Sequence, residues 1–297
     1  MTAYRPLGDS PRVVDETESY AVLYKPPLMF SAPLDRKNDR DTLLDWYAER
    51  CPAVLVPRGR KAIEGGLLHR LDFETEGLIL VAKTQGALES LRAQQEDGKI
   101  SKEYGALSLK TPSGSTALPG FPPPPQDRDG AGDGPTGLIE SFFRPWGPGR
   151  RAVRPVLQAG GEAAGRVYRT ELIAFRDLDG PSGRIVRAQG EGEAPVESLT
   201  EFPPEIPMRL FTLRICRGFR HQIRCHLAWI GFPILHDALY GGGDPRSRNH
   251  PASLDHPASQ DGGEPCPIAL RAQALRFIDP AAGEPRDCRL PSLPDLA

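Results

Sequence analysis

Apolar positions along this chain fall mostly into short, strand-length runs. Residues 77–84, GLILVAKT, read as a buried strand because their first six, GLILVA, are an unbroken apolar run of the kind a strand buried on both faces shows, and QGALESLRAQQED behind it reads as a helix ending near Gly98. SKEYGALSLK returns as a strand. RVYRTELIAF, GRIVRAQ and RLFTLRICRG read as further strands joined by hairpins, a helix follows over QIRCHLAWIG and closes at Gly231, and IALRAQALRFIDP supplies one last strand. At the front, RVVDETESYAVLYKPPLMF is a short strand, an acidic turn and a second strand AVLYK, stopped by Pro26–Pro27, which force the chain extended. No internal repeat is visible, and strands do not alternate with helices at regular intervals. That argues against a doubly wound parallel sheet and for an α+β fold with a central mixed, mainly antiparallel sheet flanked by helices and loops.

Two stretches break the pattern. TPSGSTALPGFPPPPQDRDGAGDGPTG (111–137) and GGGDPRSRNHPASLDHPASQDGGEP (241–265) are rich in Pro and Gly and poor in apolar residues. Such composition buries too little surface to offset its ordering entropy, so both read as mobile surface insertions. The domain expectation is therefore an N-terminal extension over 1–11 and one catalytic domain over 12–297 that contains both insertions.

Composition narrows the function. With 297 residues, 39% hydrophobic and 26% charged, the chain can bury a substantial core as a soluble globular protein. Neither a signal-peptide pattern nor an apolar run long enough for a membrane helix is present, which points to the cytoplasm and to no membrane partner. Five cysteines, at 51, 216, 225, 266 and 288, are scattered without a CxxC spacing, against a disulfide framework or a zinc ribbon and for reduced thiols. The net charge of −2 conceals a local asymmetry: residues 208–226, MRLFTLRICRGFRHQIRCH, hold five arginines and no acid. A basic stripe on a near-neutral protein suits a surface that follows phosphates.

Candidate chemistry concentrates in HRLDFETEG, residues 69–77, where Asp72, Glu74 and Glu76 alternate behind His69 and Arg70. A calcium loop would need a bidentate glutamate at position 83, which is Lys83. A glycosidase pair of carboxylates is compatible with the spacing but not with the basic stripe. Three solvated turn residues before a glycine are the plain alternative.

A second motif sits about 150 residues downstream: GFRHQIRCHLAWIGFPILHDALYGG, 218–242. Together with HRLDFETEGLILVAKT it resembles the RluA family of RNA pseudouridine synthases, whose typical forms are HRLDxxTSGLLLVAK and GRTHQIRVHLAxxGxPIxGDxxYG. Weaker echoes extend the resemblance over nearly the whole chain outside the insertions: VVDETESYAVLYKPP matches an opening that ends in NKPxG, SKEYGAL a K-x-Y-x-A strand, and IALRAQALRFIDP with RLPSLPDL the closing L-x-L-H-A strand and its tail.

The resemblance implies a pseudouridine synthase fold and the isomerisation of specific uridines in structured RNA, ribosomal or transfer. The N1–C1′ bond is cut, the uracil rotates while bound, and it rejoins through C5 with no metal or organic cofactor. It implies that Asp72 is the catalytic carboxylate and Arg224 its guanidinium partner, that Ile223 packs on the uracil, and that Tyr104 lies against the base and assists proton loss at C5. Arg70 and Arg220 then serve as RNA contacts, with Gln222 beside them, and His69 and His221 fix their loops; no zinc is expected at the histidines. RNA is the expected partner, of a monomer without an obligate protein partner. An S4-type RNA-binding domain, which larger members carry ahead of the opening strand, is not expected, since only about a dozen residues precede RVVDE.

Four departures stand out. GFRH replaces GRTH, so that Phe219 takes the arginine's place and Arg220 follows it; YKPPL loses the glycine of NKPxG; LRA replaces LHA; and Glu76 stands where serine is common. A catalytically inactive RNA-binding protein of the same fold is the alternative they raise, and a carboxylate-dependent hydrolase is a third.

Overall fold

The computed structural model describes residues 4–33, 41–59, 61–110, 118–125, 137–158, 165–178, 207–241 and 266–293. The apolar run after the acidic loop is strand β3 (Glu76–Ala82), buried along its whole length. It lies inside a ten-stranded sheet with β1 (Arg12–Glu16), β2 (Tyr20–Lys25), β4 (Ser101–Leu109), β5 (Gly137–Trp146), β6 (Ala152–Val156), β7 (Tyr168–Leu178), β8 (Met208–Ile215), β9 (Leu270–Ile278) and β10 (Pro285–Arg289). The order is β1-β2-β3-β9-β4-β8-β7-β5-β6, with β10 paired to β9. Among the described strands, only β3 and β9 pair in parallel, through Glu76↔Arg271 and Gly77↔Ala272. The sheet is mixed and mainly antiparallel, as the periodicities imply.

Alternation along the strands builds two core faces. Leu78 and Leu80 of β3 join Leu88 and Leu91 of helix α2 (Gln85–Glu96) on one side. Ile79 and Val81 face the other, with Leu43, Leu44 and Tyr47 of helix α1 (Leu43–Arg50) and Ile223 and Leu227 of helix α3 (Gln222–Trp229). Leu71 and Tyr104 belong to this second face, so the acidic loop and the arginine helix meet there.

Several elements lie outside the periodic reading. Helix α1 starts at a capping box in which Thr42 Oγ1 accepts the Asp45 N–H at 3.2 Å and the Asp45 carboxylate accepts the Thr42 N–H at 3.3 Å. The β5–β6 hairpin arises from a sequence crowded with Pro and Gly. IALRAQALRFIDP is not the last strand: β10 folds back on it. GRIVRAQ lies outside the described residues. Within the first insertion, residues 118–125 pack on the fold; Leu118 is buried, and the Pro122 carbonyl accepts the Trp229 indole N–H at 2.9 Å. No described helix is long and apolar enough to cross a membrane.

Two of the departures meet at the parallel junction. Glu76 is fully buried and neither solvated nor near Arg224: one of its oxygens accepts from Arg271 Nε at 2.7 Å and from the Tyr4 hydroxyl at 2.6 Å, the other from the Tyr24 hydroxyl at 2.5 Å and the Leu7 N–H at 2.9 Å. Glutamate for serine and arginine for histidine are thus one exchange, made on facing positions, which also ties the segment ahead of β1 into the core. A Glu76→Gln substitution removes the charge opposite a buried guanidinium and lowers stability by about 2–3 kcal/mol. In thermal unfolding the midpoint falls by about 5–10 °C. The double change Glu76→Ser/Arg271→His costs less than the sum of its single changes; additive losses would mean that the two positions are not coupled.

Candidate active site

The acidic loop is fixed by its backbone on both sides of Asp72. Ser31 Oγ donates to the Leu71 carbonyl at 3.0 Å and accepts the Leu71 N–H at 3.1 Å. The Phe73 carbonyl accepts from the Leu28 N–H at 2.7 Å and from Lys25 Nζ at 3.3 Å. Lys25 is fully buried, and its other donors reach the carbonyls of Pro26 and Met29, both at 2.8 Å. The turn after β2 is therefore the mould for the loop. Leu28, at the position of the lost glycine, keeps a left-handed backbone with φ of 59°, a conformation that costs a leucine about 1–2 kcal/mol. The contact to Phe73 requires that geometry whichever residue supplies it.

Asp72 then faces α3. Its Oδ2 lies 3.1 Å from Arg224 Nη1, and its Oδ1 lies 3.9 Å from His221 Nε2. Arg224 is almost fully buried; its Nε and Nη2 form a fork on Asp237 at 2.7 and 2.8 Å, and Nη1 also reaches Glu74 Oε2 at 3.4 Å. The bidentate fork fixes the plane of the guanidinium, so that Nη1 has one direction left to point. The three carboxylates of the loop thus differ in place: Asp72 against the arginine, Glu74 at the rim of the same group, Glu76 in the core.

Burial raises the Asp72 pKa, but the facing charges of His221, Arg224 and Lys25, with the Arg224 hydrogen bond, more than reverse it and hold the carboxyl below the ordinary value of 3.8. His221 is itself held below its ordinary value by burial, against the pull of Asp72. Its ring is neutral at neutral pH, so Arg224 carries most of the stabilisation there, with Lys25 only partly charged. Burial pushes the Lys25 ammonium down to about 7, against the neighbouring carboxylates. Tyr104, buried on β4, has its hydroxyl pushed far above the ordinary phenol value by burial and then by the Asp72 carboxylate, which makes it a neutral phenol coupled to the acid.

The remaining sequence candidates divide. Ile223 is buried and belongs to the same hydrophobic cluster as Tyr104. His221 caps α3 in a left-handed conformation with φ of 55° and lies edge-on to Tyr240. Gln222 is buried, with its amide shared among the Phe219 N–H, the Arg169 carbonyl and Thr170. Arg220 donates to the Arg150 and Ala152 carbonyls at 2.9 and 3.2 Å, while Phe219 stacks on Phe143 with the rings 5.0 Å apart. The GFRH departure thereby clamps the turn ahead of α3 onto the β5–β6 hairpin. Arg70 is exposed and paired with Glu64 at 3.1 Å. His69 accepts the Leu80 N–H on Nε2 at 3.3 Å. Both ring nitrogens of His226 lie within hydrogen-bond range of hydroxyls, those of Ser141 and Thr170.

Sequence reasoning missed Lys25, Asp237 and Tyr240. Tyr240 exchanges hydrogen bonds with the Val153 backbone and places its ring 5.7 Å from the Arg224 guanidinium. The signal was present, because all three stand at fixed letters of the quoted patterns: the lysine of NKPxG and the aspartate and tyrosine of PIxGDxxYG.

The fold is that of pseudouridylate synthase domains: human RNA pseudouridylate synthase domain containing 1 superposes with a TM-score of 0.51 at 17% identity, over 98% of this chain and 85% of the other. Residues 19–229 match the family described as RNA pseudouridylate synthase, and the chain belongs to that family of RNA isomerases. It is 27% identical over 292 residues to ribosomal large subunit pseudouridine synthase D of Zymomonas mobilis, covering 95% of this chain and 71% of that protein. It is likewise 27% identical over 221 residues to ribosomal large subunit pseudouridine synthase C of Escherichia coli, covering 73% of this chain and 50% of that protein. The chain thus spans about half the length of the synthase C proteins it matches.

Proposed function

We propose that this protein converts specific uridines of large-subunit ribosomal RNA to pseudouridine, with Asp72 as the catalytic carboxylate. The observation that carries the reading is the 3.1 Å pairing of Asp72 with an Arg224 oriented by Asp237, which joins residues of two motifs across 152 positions. The reaction loses no atom of the nucleoside skeleton: the N1–C1′ bond breaks, the uracil turns, C1′ bonds to C5, and the proton on C5 leaves as N1 gains one. An ionised carboxylate serves each route to it, by attack on C1′ or C6 or by proton abstraction from the sugar. Tyr104 is protonated at neutral pH, so it acts against the base as a donor and packing surface and can take the C5 proton only by passing on its own. Ile223 supplies the apolar contact to the uracil. Arg70, exposed beside Asp72, fits a contact to the RNA around an extruded uridine, a movement that costs on the order of a few kcal/mol.

The reading of an inactive binding protein rested on the altered turn. Phe219 and Arg220 are engaged with the hairpin, however, and leave Asp72, Arg224 and Tyr104 together. The names of the relatives favour ribosomal RNA as the substrate. Carbodiimide mapping of ribosomal and transfer RNA from cells with and without the gene is expected to show one or a few large-subunit positions that lose pseudouridine and regain it with purified protein. An identical map in both strains sinks the proposal, and a loss confined to transfer RNA replaces its substrate.

A further inference from the structure

Beside Asp72 lies a pair of aromatic rings that the chemistry above does not use. Phe73 follows Asp72 directly in the chain, so their Cα atoms are about 3.8 Å apart. Its ring pairs with that of Phe30, with centroids 4.6 Å apart and planes tilted by 37°. Both residues are half-buried, and neither belongs to the buried clusters found among the described residues.

The main chain fixes where the rings sit. Residues 28–31 are laced to the loop on both sides of Asp72: the Leu28 N–H donates to the Phe73 carbonyl at 2.7 Å, and Ser31 Oγ bonds the Leu71 carbonyl and N–H at 3.0 and 3.1 Å. The Phe30 carbonyl accepts the Leu43 N–H at 2.9 Å, which anchors this segment on α1. Residues 27–30 and 72–74 are half-buried, whereas Ser31, Leu71 and Thr75 are buried. The lacing therefore joins two partly open stretches into one surface that carries both the phenyl pair and Asp72.

Chemistry selects the occupant of that surface. The side chains of Asp72 and Glu74, 24% and 36% exposed, set negative charge next to the rings and disfavour a phosphate there. Phenyl rings offer neither a hydrogen-bond donor nor a polar acceptor. A flat uncharged group fits, and RNA, the substrate class of this family, supplies one at every nucleotide. A uridine swung out of its stack leaves the base next to it with one face bare. Stacking on an aromatic ring covers such a face whatever the base.

We infer that Phe30 and Phe73 form a stacking platform for the base that neighbours the isomerised uridine. The target uracil is the partner of Tyr104 and Ile223, which lie in the buried cluster, so the platform is a second base site. Having no hydrogen-bonding group, it accepts any base, more tightly the larger its stacking face. The inference deepens the function proposed above and rests on it for the uridine in the site.

The test has two arms. In the first, full-length protein with isotope-labelled phenylalanine is titrated by NMR with the RNA pentanucleotide CAUAC and with two versions abasic on the 5′ or the 3′ side of the uridine. The ring signals, assigned with Phe30→Leu and Phe73→Leu, are expected to shift upfield with the intact RNA and to lose that shift with one abasic version. In the second, pseudouridine formation is followed on ribosomal RNA from cells lacking the gene. Phe73→Leu keeps apolar bulk without a ring and is expected to raise the half-saturating RNA concentration about tenfold, with little change in the plateau rate. Phe73→Trp is expected to restore most of that loss, and Phe30→Leu, outside the loop of Asp72, to act in the same direction as Phe73→Leu. Ring signals that stay still, or that move equally with all three oligonucleotides, overturn the platform. A base-dependent shift without an effect on half-saturation keeps the base site and overturns its part in substrate binding. If the wild type modifies no RNA, the proposed function fails while the first arm still decides the platform.

Discussion

Asp72→Asn removes pseudouridine formation, by on the order of 10⁴-fold or more in single-turnover rate, while the protein stays folded. The two halves of that result have separate causes. Asparagine keeps an oxygen for Arg224 Nη1 and nearly the same shape, and the Asp72 side chain is 24% exposed, so the fold loses only about 1 kcal/mol. The thermal midpoint therefore moves by only a few degrees. The chemistry loses more, because an amide supplies neither a nucleophile for C1′ or C6 nor a base for the sugar. RNA binding by the variant, measured by filter retention, is expected to stay within about threefold of the wild type, since Asp72 contributes no phosphate contact. Retained activity in Asp72→Asn would assign the reaction to another group and leave the Asp72–Arg224 pair as architecture.

Arg224→Met is expected to damage both the fold and the reaction. Asp237 is fully buried with its carboxylate on the Arg224 fork, and removing one partner of such a pair costs about 3–5 kcal/mol because the other charge is stranded. The midpoint of thermal unfolding then falls by about 10 °C or more. Adding Asp237→Asn neutralises the stranded charge and is expected to restore most of that loss without restoring activity, which separates the two roles. The pH dependence gives a third reading. In the wild type the Asp72 carboxyl is held below the ordinary value. Its ionisation therefore favours the folded state above the unfolded pKa, and that contribution is lost as pH falls through the lower folded one. The acid limb of the rate accordingly lies below the usual carboxylate range. Without Arg224 only His221 and Lys25 oppose the burial effect, and the limb moves upward, visible in rates taken between about pH 3 and 8. A stable double variant with an unshifted acid limb would show that Arg224 does not set the ionisation of Asp72.

The chain's four departures from the motif letters show where one-dimensional reading ends. Glu76 and Arg271 look like two unrelated losses when read along the sequence, 195 positions apart; only the parallel β3–β9 register makes them one buried pair. Phe219 and Arg220 read as an arginine displaced by one residue, whereas the ring enters an aromatic cluster with Phe143 and Tyr168 and the guanidinium reaches hairpin carbonyls. Leu28 reads as a missing glycine, yet the left-handed backbone persists, because the Phe73 carbonyl draws the Leu28 N–H regardless of the side chain.

What the sequence determined by itself was periodic or motif-borne. The central strands, α2, α3 and the α+β class follow from apolar spacing, because burial on a strand or helix face repeats at a fixed interval; the two long motifs pointed to the aspartate and the arginine, and the weaker SKEYGAL echo to the tyrosine. Helix α1, the β5–β6 hairpin and β10 were not legible, since their short runs are stabilised by caps and cross-strand partners that local periodicity does not encode. The tertiary structure alone decided that Asp72 and Glu74 meet Arg224 while Glu76 is buried in the core, that Asp237 orients that arginine, and that Lys25 moulds the loop. Those outcomes depend on distances across the sheet, where desolvation makes each charge sensitive to its nearest partner, and sequence spacing carries no measure of that distance.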